Sequence, residues 1–313
     1  MSRLLVLAAA LAAAAMVPAL GRDYYATLML PFFAYSVALL GLNLMFGTTG
    51  LLSFGHALFV AVGGYAAAYL GSALRIRSLE AMLLVAGLTA VVVAVPVGWL
   101  CVRYVRIYFG MLTLAFGMLF YSFLYKFYGL TGGDEGIPVA RPTLLGHGFG
   151  TLDKTAYLIG PYYYYSLVLC VVAALVMWRI VCSPLGLSLR AIRENADKAA
   201  YVGVHVRRYR FYAFVIAAVF GAVGGVLLVV PTGLASPTLA YWTHSGNLVF
   251  MLLLGGFGHF FGPVLGAFVF IFLQDVVMSA TEYWRFVFGA VLAAVVIFLP
   301  QGLMSLVARR ANA

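Results

Sequence analysis

Nucleotide hydrolysis is the first chemistry that the side chains can be tested for, and the sequence lacks its motif. A P-loop site needs a glycine-rich loop that ends in Gly-Lys, because the lysine ammonium reaches the phosphate oxygens. The three lysines, Lys126, Lys154 and Lys198, follow Tyr, Asp and Asp. The chain therefore carries no P-loop ATPase site of its own.

Hydrolytic, metal and ion-coupled chemistry have equally little support. The sequence contains neither a His-Glu-x-x-His nor a Gly-x-Ser-x-Gly motif, and its three cysteines lack the spacing of metal ligands. Glu80, Asp275 and Glu282 are the carboxylates that an ion-coupled carrier would use, and all three lie near the ends of apolar segments. We expect no catalytic residue and no metal site. An intramembrane enzyme and a secondary carrier remain as alternatives.

The composition sets the class of protein that must position these few polar groups. Of 313 residues, 65% are hydrophobic and 9% are charged, and the mean hydropathy is +1.06. Soluble domains average about 25% charged residues. Backbone groups in lipid must be hydrogen-bonded within each helix, and no short alternating segments typical of a β-barrel are visible. The sequence predicts an all-α polytopic membrane bundle of about 8–10 spans, organised as one domain over residues 1–313.

Apolar segments separated by polar or glycine-rich connections mark the predicted spans. They are Leu4–Leu20, Tyr25–Phe46, Ala57–Leu70, Ala81–Cys101, Tyr108–Tyr128, Tyr164–Val181, Phe211–Val230, Asn247–Phe257, Val264–Ser279 and Phe286–Pro300. We interpret Leu4–Leu20 as a membrane helix, with a cleaved signal peptide as the alternative. Several segments are shorter than the ~20 residues that cross a bilayer. Short helices are tolerated inside protein, which places Gly47–Gly64 and Gly255–Gly266 near the centre of the bundle.

The distribution of basic residues predicts the orientation. The net charge is +10, and we attribute it to the positive-inside rule rather than to nucleic-acid binding, because no basic patch lies on a soluble domain. Both termini are then cytoplasmic, and residues 130–161 and 231–246 are outside. Arg75 and Arg77 fall outside in this scheme and count against it. The cytoplasmic basic residues are Arg103, Arg106, Arg309, Arg310 and six in Ser183–Arg210.

The segment Ser183–Arg210 is polar over an unusual length for this chain. It carries eight of the 28 Asp, Glu, Lys and Arg residues and lies between two predicted spans. Within it, Leu189–Val202 alternates apolar and charged residues as a surface helix does, and Gly203 can end that helix as a C-terminal cap. From polarity alone, the segment is either a site of contact with a soluble protein or a basic loop on anionic lipid.

Four stretches in order resemble one family, the LivM-type permease subunits of branched-chain amino acid ABC importers. They are GLNLMFGTTGLLSFGHALFVAVGGY (Gly41–Tyr65), IYFGMLTLAFGMLFYSFLYKFYGLTGGDEGIP (Ile107–Pro138), the Ser183–Val204 stretch with RAIREN at its centre, and LLGGFGHFFGPVLG (Leu253–Gly266) with a later Pro-x-Gly-Leu. Each stretch alone is weak, because small residues are common in membrane helices. The resemblance covers most of the chain from Tyr25 onward.

The resemblance implies an importer half-channel that works with several other subunits. The expected partners are a second, homologous LivH-like permease, two cytoplasmic ATPase subunits, a periplasmic solute-binding protein and membrane lipid. ATP and Mg²⁺ are then cofactors of the ATPase subunits and not of this chain, and the location is the bacterial inner membrane. The expected solutes are branched-chain or other hydrophobic amino acids. Urea, short amides and aromatic acids are alternatives within the family, and a stand-alone channel is the alternative from another class.

The resemblance also assigns expected roles to residues. In the family, the helix within Ser183–Arg210 would couple the permease to the ATPase, with Glu194 and Gly203 of most importance. We interpret Arg207, Arg208 and Arg210 instead as an anchor of the next span at the lipid surface. The expected coupling residues are Arg190, Arg193, Glu194, Asn195, Asp197 and Gly203.

Two further groups of residues have open interpretations. Asn43, Ser53, His56 and Thr113 are candidates for the lining of the translocation path. His56 has the alternative role of bonding a backbone carbonyl freed by nearby glycines, and Thr113 that of simple helix packing. Thr131, Asp134 and Glu135 form an acidic turn on the predicted outer face, which either contacts the binding protein or is merely solvated.

Overall fold

The chain is a helical bundle in a computed structural model that describes residues 12–18, 23–105, 107–149, 152–299 and 302–305. The main helices are α1 (Asp23–Asn43), α2 (His56–Ser72), α3 (Leu79–Cys101), α4 (Ile107–Lys126), α5 (Tyr163–Cys182), α6 (Pro184–Glu194), α7 (Ala196–Tyr201), α8 (Val206–Thr232), α9 (Trp242–Gly255), α10 (Gly262–Ala280) and α11 (Trp284–Phe298). π-helical turns extend α1 through Leu44–Thr48 and precede α5 at Leu158–Tyr162. Shorter helical turns occupy Tyr128–Thr131, Gly133–Glu135, Lys154–Tyr157 and Pro237–Ala240.

Six helical segments are long and apolar enough to cross a membrane. They are Asp23–Thr48, Leu79–Cys101, Ile107–Lys126, Lys154–Cys182, Val206–Thr232 and Gly262–Ala280. The first and fifth are 78% and 72% buried, whereas the fourth is only 11% buried. α1 and α8 therefore form the centre of the bundle, and α5 lies at its edge with its apolar side chains toward lipid.

α2 and α9 are too short to cross a bilayer by themselves, yet they are largely buried. α2 has 17 residues, of which 14 are buried, and α9 has 14 residues, of which seven are buried. A Cβ atom on Gly225 would lie 2.0 Å from the Val60 carbonyl oxygen, and one on Gly221 would lie 3.1 Å from His56 Nε2. α2 thus begins beside the middle of α8 and runs alongside it, which makes it a half-length helix inside the protein.

The long connection between α4 and α5 is tied to the bundle at the end opposite α6. Its strand β1 (Ile137–Pro138) pairs antiparallel with β2 (Leu234–Ala235), which follows α8. Glu80, at the start of α3, accepts hydrogen bonds from the Leu145 amide (2.8 Å) and the Ser78 hydroxyl (2.7 Å). These contacts hold the connection close to the helix ends.

The membrane class and the order of the apolar helices agree with the predictions, but two helices begin well before the predicted spans and one predicted helix is divided. α8 begins at Val206 and α9 at Trp242, each five residues before the predicted span. Arginine is a good helix former with an apolar stem, so α8 continues through its basic residues even though a hydropathy window stops there. The prediction of one helix over Leu189–Val202 is wrong, because Asn195 divides it into α6 and α7.

Some predicted features lie outside the described residues. Of the proposed first helix, Leu4–Leu20, residues 12–16 are helical and most of the rest falls outside the described ranges. Arg106, Arg309, Arg310 and both termini also lie outside them. The assignment of both termini to the cytoplasm stays a prediction, as does the treatment of residues 1–313 as one domain.

Candidate functional site

α6 is an amphipathic helix that packs across one end of the bundle. Pro184 occupies its first turn, where the missing N–H is not needed. Gly186, Leu189 and Ile192 are its buried residues, spaced three apart, while Arg190 and Glu194 are exposed. The buried face fixes α6 on the ends of α5 and α8, and the charged face is left free.

Asn195 ends α6 and starts α7. Its backbone is extended (φ −157°, ψ 104°), and its side-chain Oδ1 accepts a 2.9 Å hydrogen bond from the Lys198 amide. Asparagine is among the preferred residues for this N-cap position. α7 then ends before Gly203, whose φ of +89° is a conformation that other residues rarely adopt. The two helices meet at a defined corner.

Arg193 joins α6 to two turns that lie far from it in the sequence. Its Nη1 donates a hydrogen bond to the carbonyl oxygen of Gly47, 146 residues away. Its guanidinium carbon lies 5.5 Å from the ring centroid of Phe257, within the range of a cation–π contact. One side chain of α6 therefore contacts the π-helical turn after α1 and the turn after α9.

The same two turns also contact each other directly. The rings of Phe46 and Phe257 are 4.6 Å apart, and a Cβ on Gly47 would lie 2.4 Å from the Phe257 carbonyl oxygen. A Cβ on Gly302, where φ is +75°, would lie 2.3 Å from Gly256 Cα. Glycine is required at Gly47 and Gly302 because the backbones approach too closely for a side chain. We call this meeting point of residues 44–50, 256–261 and Arg193 the junction.

A cavity of about 580 Å³ opens beside the junction. Its lining includes Asn43, Arg190, Glu194 and His259, together with apolar residues of α1 and α5. Within the described part of the chain, Asn43 Oδ1 and His259 Nδ1 are buried without a hydrogen-bond partner. Unsatisfied buried polar atoms are uncommon, so these two atoms mark a polar wall where water or a partner can bind.

The remaining predicted coupling residues are spread over the exposed surface of α6 and α7. Arg190, Glu194 and Asp197 are exposed, and Arg190 Nη2 makes only a marginal 3.5 Å contact with the Val181 carbonyl. No ion pair is formed by these side chains within the described ranges. Their charges are therefore available to another protein, whereas Arg193 is committed to the junction. Their role in coupling stays a prediction.

His56 opens α2 deep inside the bundle. It is 2% exposed, and its Nε2 donates to the Ala38 carbonyl of α1 at 3.2 Å. The next amide, Ala57 N, donates to the hydroxyl of Ser245 on α9 at 3.1 Å. The first N–H groups of a helix have no partner in that helix, so Ser245 satisfies one of them from a neighbouring element. Whether His56 also lines a path stays a prediction.

The other two path candidates are buried near the start of α2. Ser53 is 2% exposed, and among the described residues its hydroxyl has no partner. Thr113 is 3% exposed and donates to the Gly110 carbonyl of its own helix at 2.9 Å. Its backbone oxygen would be 2.0 Å from a Cβ on Gly55. Thr113 thus packs α4 against the segment before α2, while Ser53 keeps a free hydroxyl.

The acidic turn lies at the opposite end of the bundle from α6. Thr131 is buried and donates to the carbonyls of Leu124 (2.5 Å) and Phe127 (2.9 Å), so it shapes the turn from inside. Asp134 and Glu135 are exposed. Glu135 accepts a 3.1 Å hydrogen bond from the Tyr128 hydroxyl, which raises the pKa of Tyr128 above its ordinary value.

None of the three carboxylates considered for ion coupling is fully buried. Glu80 accepts a hydrogen bond from the Leu145 amide in the connection between α4 and α5, and Asp275 accepts one from the Tyr24 hydroxyl. Glu282 is exposed. Among the described residues, no three His, Cys, Asp or Glu side chains come close enough to hold a metal ion.

Sequence reasoning missed Ser245 and Phe257 as functional candidates. Both belong to residues 242–261, where Asn247-Leu-Val-Phe and Gly258-His259 repeat the order of Asn43-Leu-Met-Phe and Gly55-His56. This internal repeat was the sequence signal that could have pointed to residues 242–261. Gly47–Gly64 and Gly255–Gly266 were expected near the centre of the bundle, but Gly47 and the turn at residues 256–261 lie at the α6 end, where Phe257 packs on Phe46 and Arg193.

Comparison with known proteins gives the family. The family model of the branched-chain amino acid transport system permease component matches residues 24–296. The high-affinity branched-chain amino acid permease LivM of Escherichia coli K12 is 29% identical over 287 residues, which cover 86% of this chain and 67% of that protein. LivH of the same organism is 26% identical over 285 residues, covering 86% and 91%.

A more distant relative carries a different solute in its name. The guanosine ABC transporter permease NupQ of Bacillus subtilis is 29% identical over 119 residues, which cover 36% of this chain and 35% of that protein. No solved structure matches the chain. Because the family model spans far more than half of the sequence, the chain belongs to the family of permease components of branched-chain amino acid transport systems.

Proposed function

We propose that this chain, a permease subunit of an ATP-binding-cassette importer, forms half of a path for branched-chain or other hydrophobic amino acids. A second, homologous LivH-like permease forms the other half. Two ATPase subunits, with ATP and Mg²⁺ bound to them, supply the energy, and a periplasmic binding protein delivers the solute. The chain lies in the bacterial inner membrane with α6 on the cytoplasmic side. The family and the six apolar spans support this proposal.

The junction is the single observation that carries the mechanism. Arg193 is exposed, as are Arg190 and Glu194 on the same helix, but its guanidinium contacts the turns that end α1 and α9. α9 in turn bonds the buried start of α2 through Ser245. Movement of α6 by an ATPase therefore reaches the centre of the bundle through two side chains and two turns. In this proposal, ATPase closure moves α6, and the path between the two permeases opens.

Reconstitution tests the class of transporter. The chain, its partner permease, two ATPase subunits and the binding protein are placed in proteoliposomes, and uptake of radiolabelled leucine is measured with and without ATP. We expect uptake only with the full set and ATP. Uptake by this chain without ATPase subunits would identify a stand-alone channel or secondary carrier, and turnover of a substrate by the purified chain would identify an enzyme.

The solute needs a separate comparison within the same vesicles. Leucine, isoleucine and phenylalanine are compared with urea, acetamide, benzoate and guanosine. Each solute is tested at the same concentration and with the importer's binding protein present. The apolar and aromatic residues around the centre of the bundle favour the amino acids. Faster uptake of urea, an amide, an aromatic acid or guanosine would replace the amino acids by that solute and leave the transporter class intact.

A double variant tests coupling through α6 and α7. Glu194→Lys reverses an exposed charge on α6, and Gly203→Leu places a bulky side chain where φ is +89°. We expect ATP-driven uptake to fall at least tenfold while all subunits still assemble in the membrane. Unchanged coupled uptake would remove these residues from the mechanism. Asp153→Asn, at an exposed position of the outer connection, is the control and should transport normally.

A further inference from the structure

A second cationic surface lies at the α6 end, apart from the junction. Trp99, near the end of α3, is 54% exposed. The guanidinium carbon of Arg103 lies 3.7 Å from its ring centroid, and that of Arg207, at the start of α8, lies 5.8 Å away. Both distances are within the range of a cation–π contact. Trp99, Arg103 and Arg207 thus form one surface, which we call the Trp99 patch.

The Trp99 patch has no internal counter-charge. The sequence contains no Asp or Glu between Glu80 and Asp134, nor between Asp197 and Asp275. Among the described residues, neither Arg103 nor Arg207 makes a hydrogen bond or an ion pair. Guanidinium groups are the preferred binders of phosphate oxygens, because their planar N–H donors match two oxygens at once. Two such groups beside one indole provide a site for an anion that carries phosphate.

An exposed apolar stripe runs along α3 to this patch. Leu84, Leu88, Val92 and Val95 precede Trp99 at spacings of four, four, three and four residues, and their exposed fractions are 69%, 66%, 72% and 44%. Fifteen residues at 1.5 Å each give a length of roughly 22 Å. One leaflet of a bilayer has a hydrocarbon depth of about 15 Å. The stripe therefore extends beyond one acyl layer, and its part next to the two guanidinium groups, from Leu88 onward, faces the acyl chains of one leaflet.

We propose that the Trp99 patch binds an anionic phospholipid. Its headgroup phosphate lies on Arg103 and Arg207, and its acyl chains lie along Leu88, Val92 and Val95. Scattered basic residues at a membrane surface attract anionic lipid in general. The Trp99 patch differs because two elements far apart in the sequence hold their arginines at one indole, at the end of an exposed apolar stripe. Arg207 stands in the first turn of α8, so the lipid binds close to the turn at Gly203 that joins α7 to α8.

Native mass spectrometry of the full chain in mild detergent tests the site. Phosphatidylglycerol and phosphatidylcholine with identical acyl chains are added in turn. We expect phosphatidylglycerol to be retained about tenfold better, and the preference to disappear in R103Q/R207Q. The control is R75Q/R77Q, which removes two exposed arginines at the other end of the bundle and should keep the preference. Equal retention by the wild type, or equal loss in both double variants, would overturn the proposal.

Two further measurements separate a lipid from its alternatives. Inorganic phosphate in the millimolar range should not displace phosphatidylglycerol, because it lacks acyl chains; displacement would show a simple anion site. In the assembled importer, Trp178, Trp242 and Trp284 are replaced by Phe, and the signal of Trp99 is the difference from the same importer that also carries Trp99→Phe. Brominated phosphatidylglycerol should then quench its fluorescence more than brominated phosphatidylcholine does. Absence of quenching would show that another subunit covers the stripe.

Discussion

The two ends of the bundle are held together in different ways. At the α6 end, Arg193 bonds Gly47 across 146 residues of sequence and also contacts Phe257. At the acidic-turn end, Thr131 bonds carbonyls seven and four residues away, and Glu135 bonds Tyr128, seven residues away. The side chains of the junction therefore join distant elements, whereas those of the acidic turn bond within their own neighbourhood; the strand β1 that follows the turn is paired with the distant β2.

The two sets of contacts differ in what they can transmit. A displacement of α6 is passed through Arg193 to the turns after α1 and α9, and these two turns are in close backbone contact with each other at Gly47. The exposed side chains of Asp134 and Glu135 can change without disturbing any helix of the core. The first arrangement suits mechanical coupling, and the second suits a surface that meets a separate protein.

The largest expected effect follows from removal of the junction contact. Arg193→Ala deletes a charge-assisted hydrogen bond, a kind of interaction that contributes about 1.5–3 kcal/mol. We expect ATP-driven uptake to fall about 10- to 100-fold, and the transport per ATP hydrolysed to fall with it. Uptake and phosphate release are measured in the same proteoliposomes.

Arg190→Ala is the matched comparison on the same helix. Its guanidinium makes only a 3.5 Å contact with Val181, so the loss should be less than about threefold. A larger loss for Arg190→Ala than for Arg193→Ala would mean that the exposed charges of α6, and not the junction, carry the coupling.

The next effect concerns the buried start of α2, whose Ala57 amide donates to Ser245 of α9. Ser245→Ala leaves the Ala57 amide buried without its acceptor, which costs about 1–3 kcal/mol. The apparent unfolding temperature in detergent should fall by several degrees. Ser36→Ala is the control, because Ser36 is fully buried and its hydroxyl has no partner among the described residues. Equal destabilisation by both variants would show that the Ser245 hydrogen bond contributes nothing specific.

The smallest effect is expected at the acidic turn. Asp134→Asn with Glu135→Gln removes two exposed charges. The concentration of binding protein needed for half-maximal uptake should rise a few-fold at low salt and less at high salt, because exposed charges act mainly on encounter and are screened. The maximal rate should not change. A fall in the maximal rate at saturating binding protein would mean that the acidic turn takes part in coupling, which would contradict the contrast between the two ends.

Local patterns explain how much of the fold was predictable. Hydropathy marks the spans because each must be apolar along its own length, and the glycine-rich stretch before His56 correctly indicated a short buried helix. The division of the predicted surface helix was missed because alternating polarity continues through Asn195. Only its extended backbone and the hydrogen bond to Lys198 reveal the corner.

The junction could not be predicted for a different reason. The sequence placed Arg193 on a charged helix, and nothing local says that its guanidinium reaches Gly47 and Phe257. Such pairs depend on how distant helices pack. Ser245 is similar, since its value comes from the amide of Ala57 on another helix. Residues whose roles are local were therefore easier to predict than residues that join elements.

Photo-crosslinking in the assembled, ATP-hydrolysing importer tests the contrast between the two ends most directly. Benzoylphenylalanine is placed at Glu194 on α6 in one variant and at Glu135 in the acidic turn in another, both at exposed positions. We predict that the probe at position 194 forms an adduct with the ATPase subunit and that the probe at position 135 forms one with the binding protein. An importer that transports normally, yet gives no ATPase adduct from position 194 or gives one from position 135, would contradict the account.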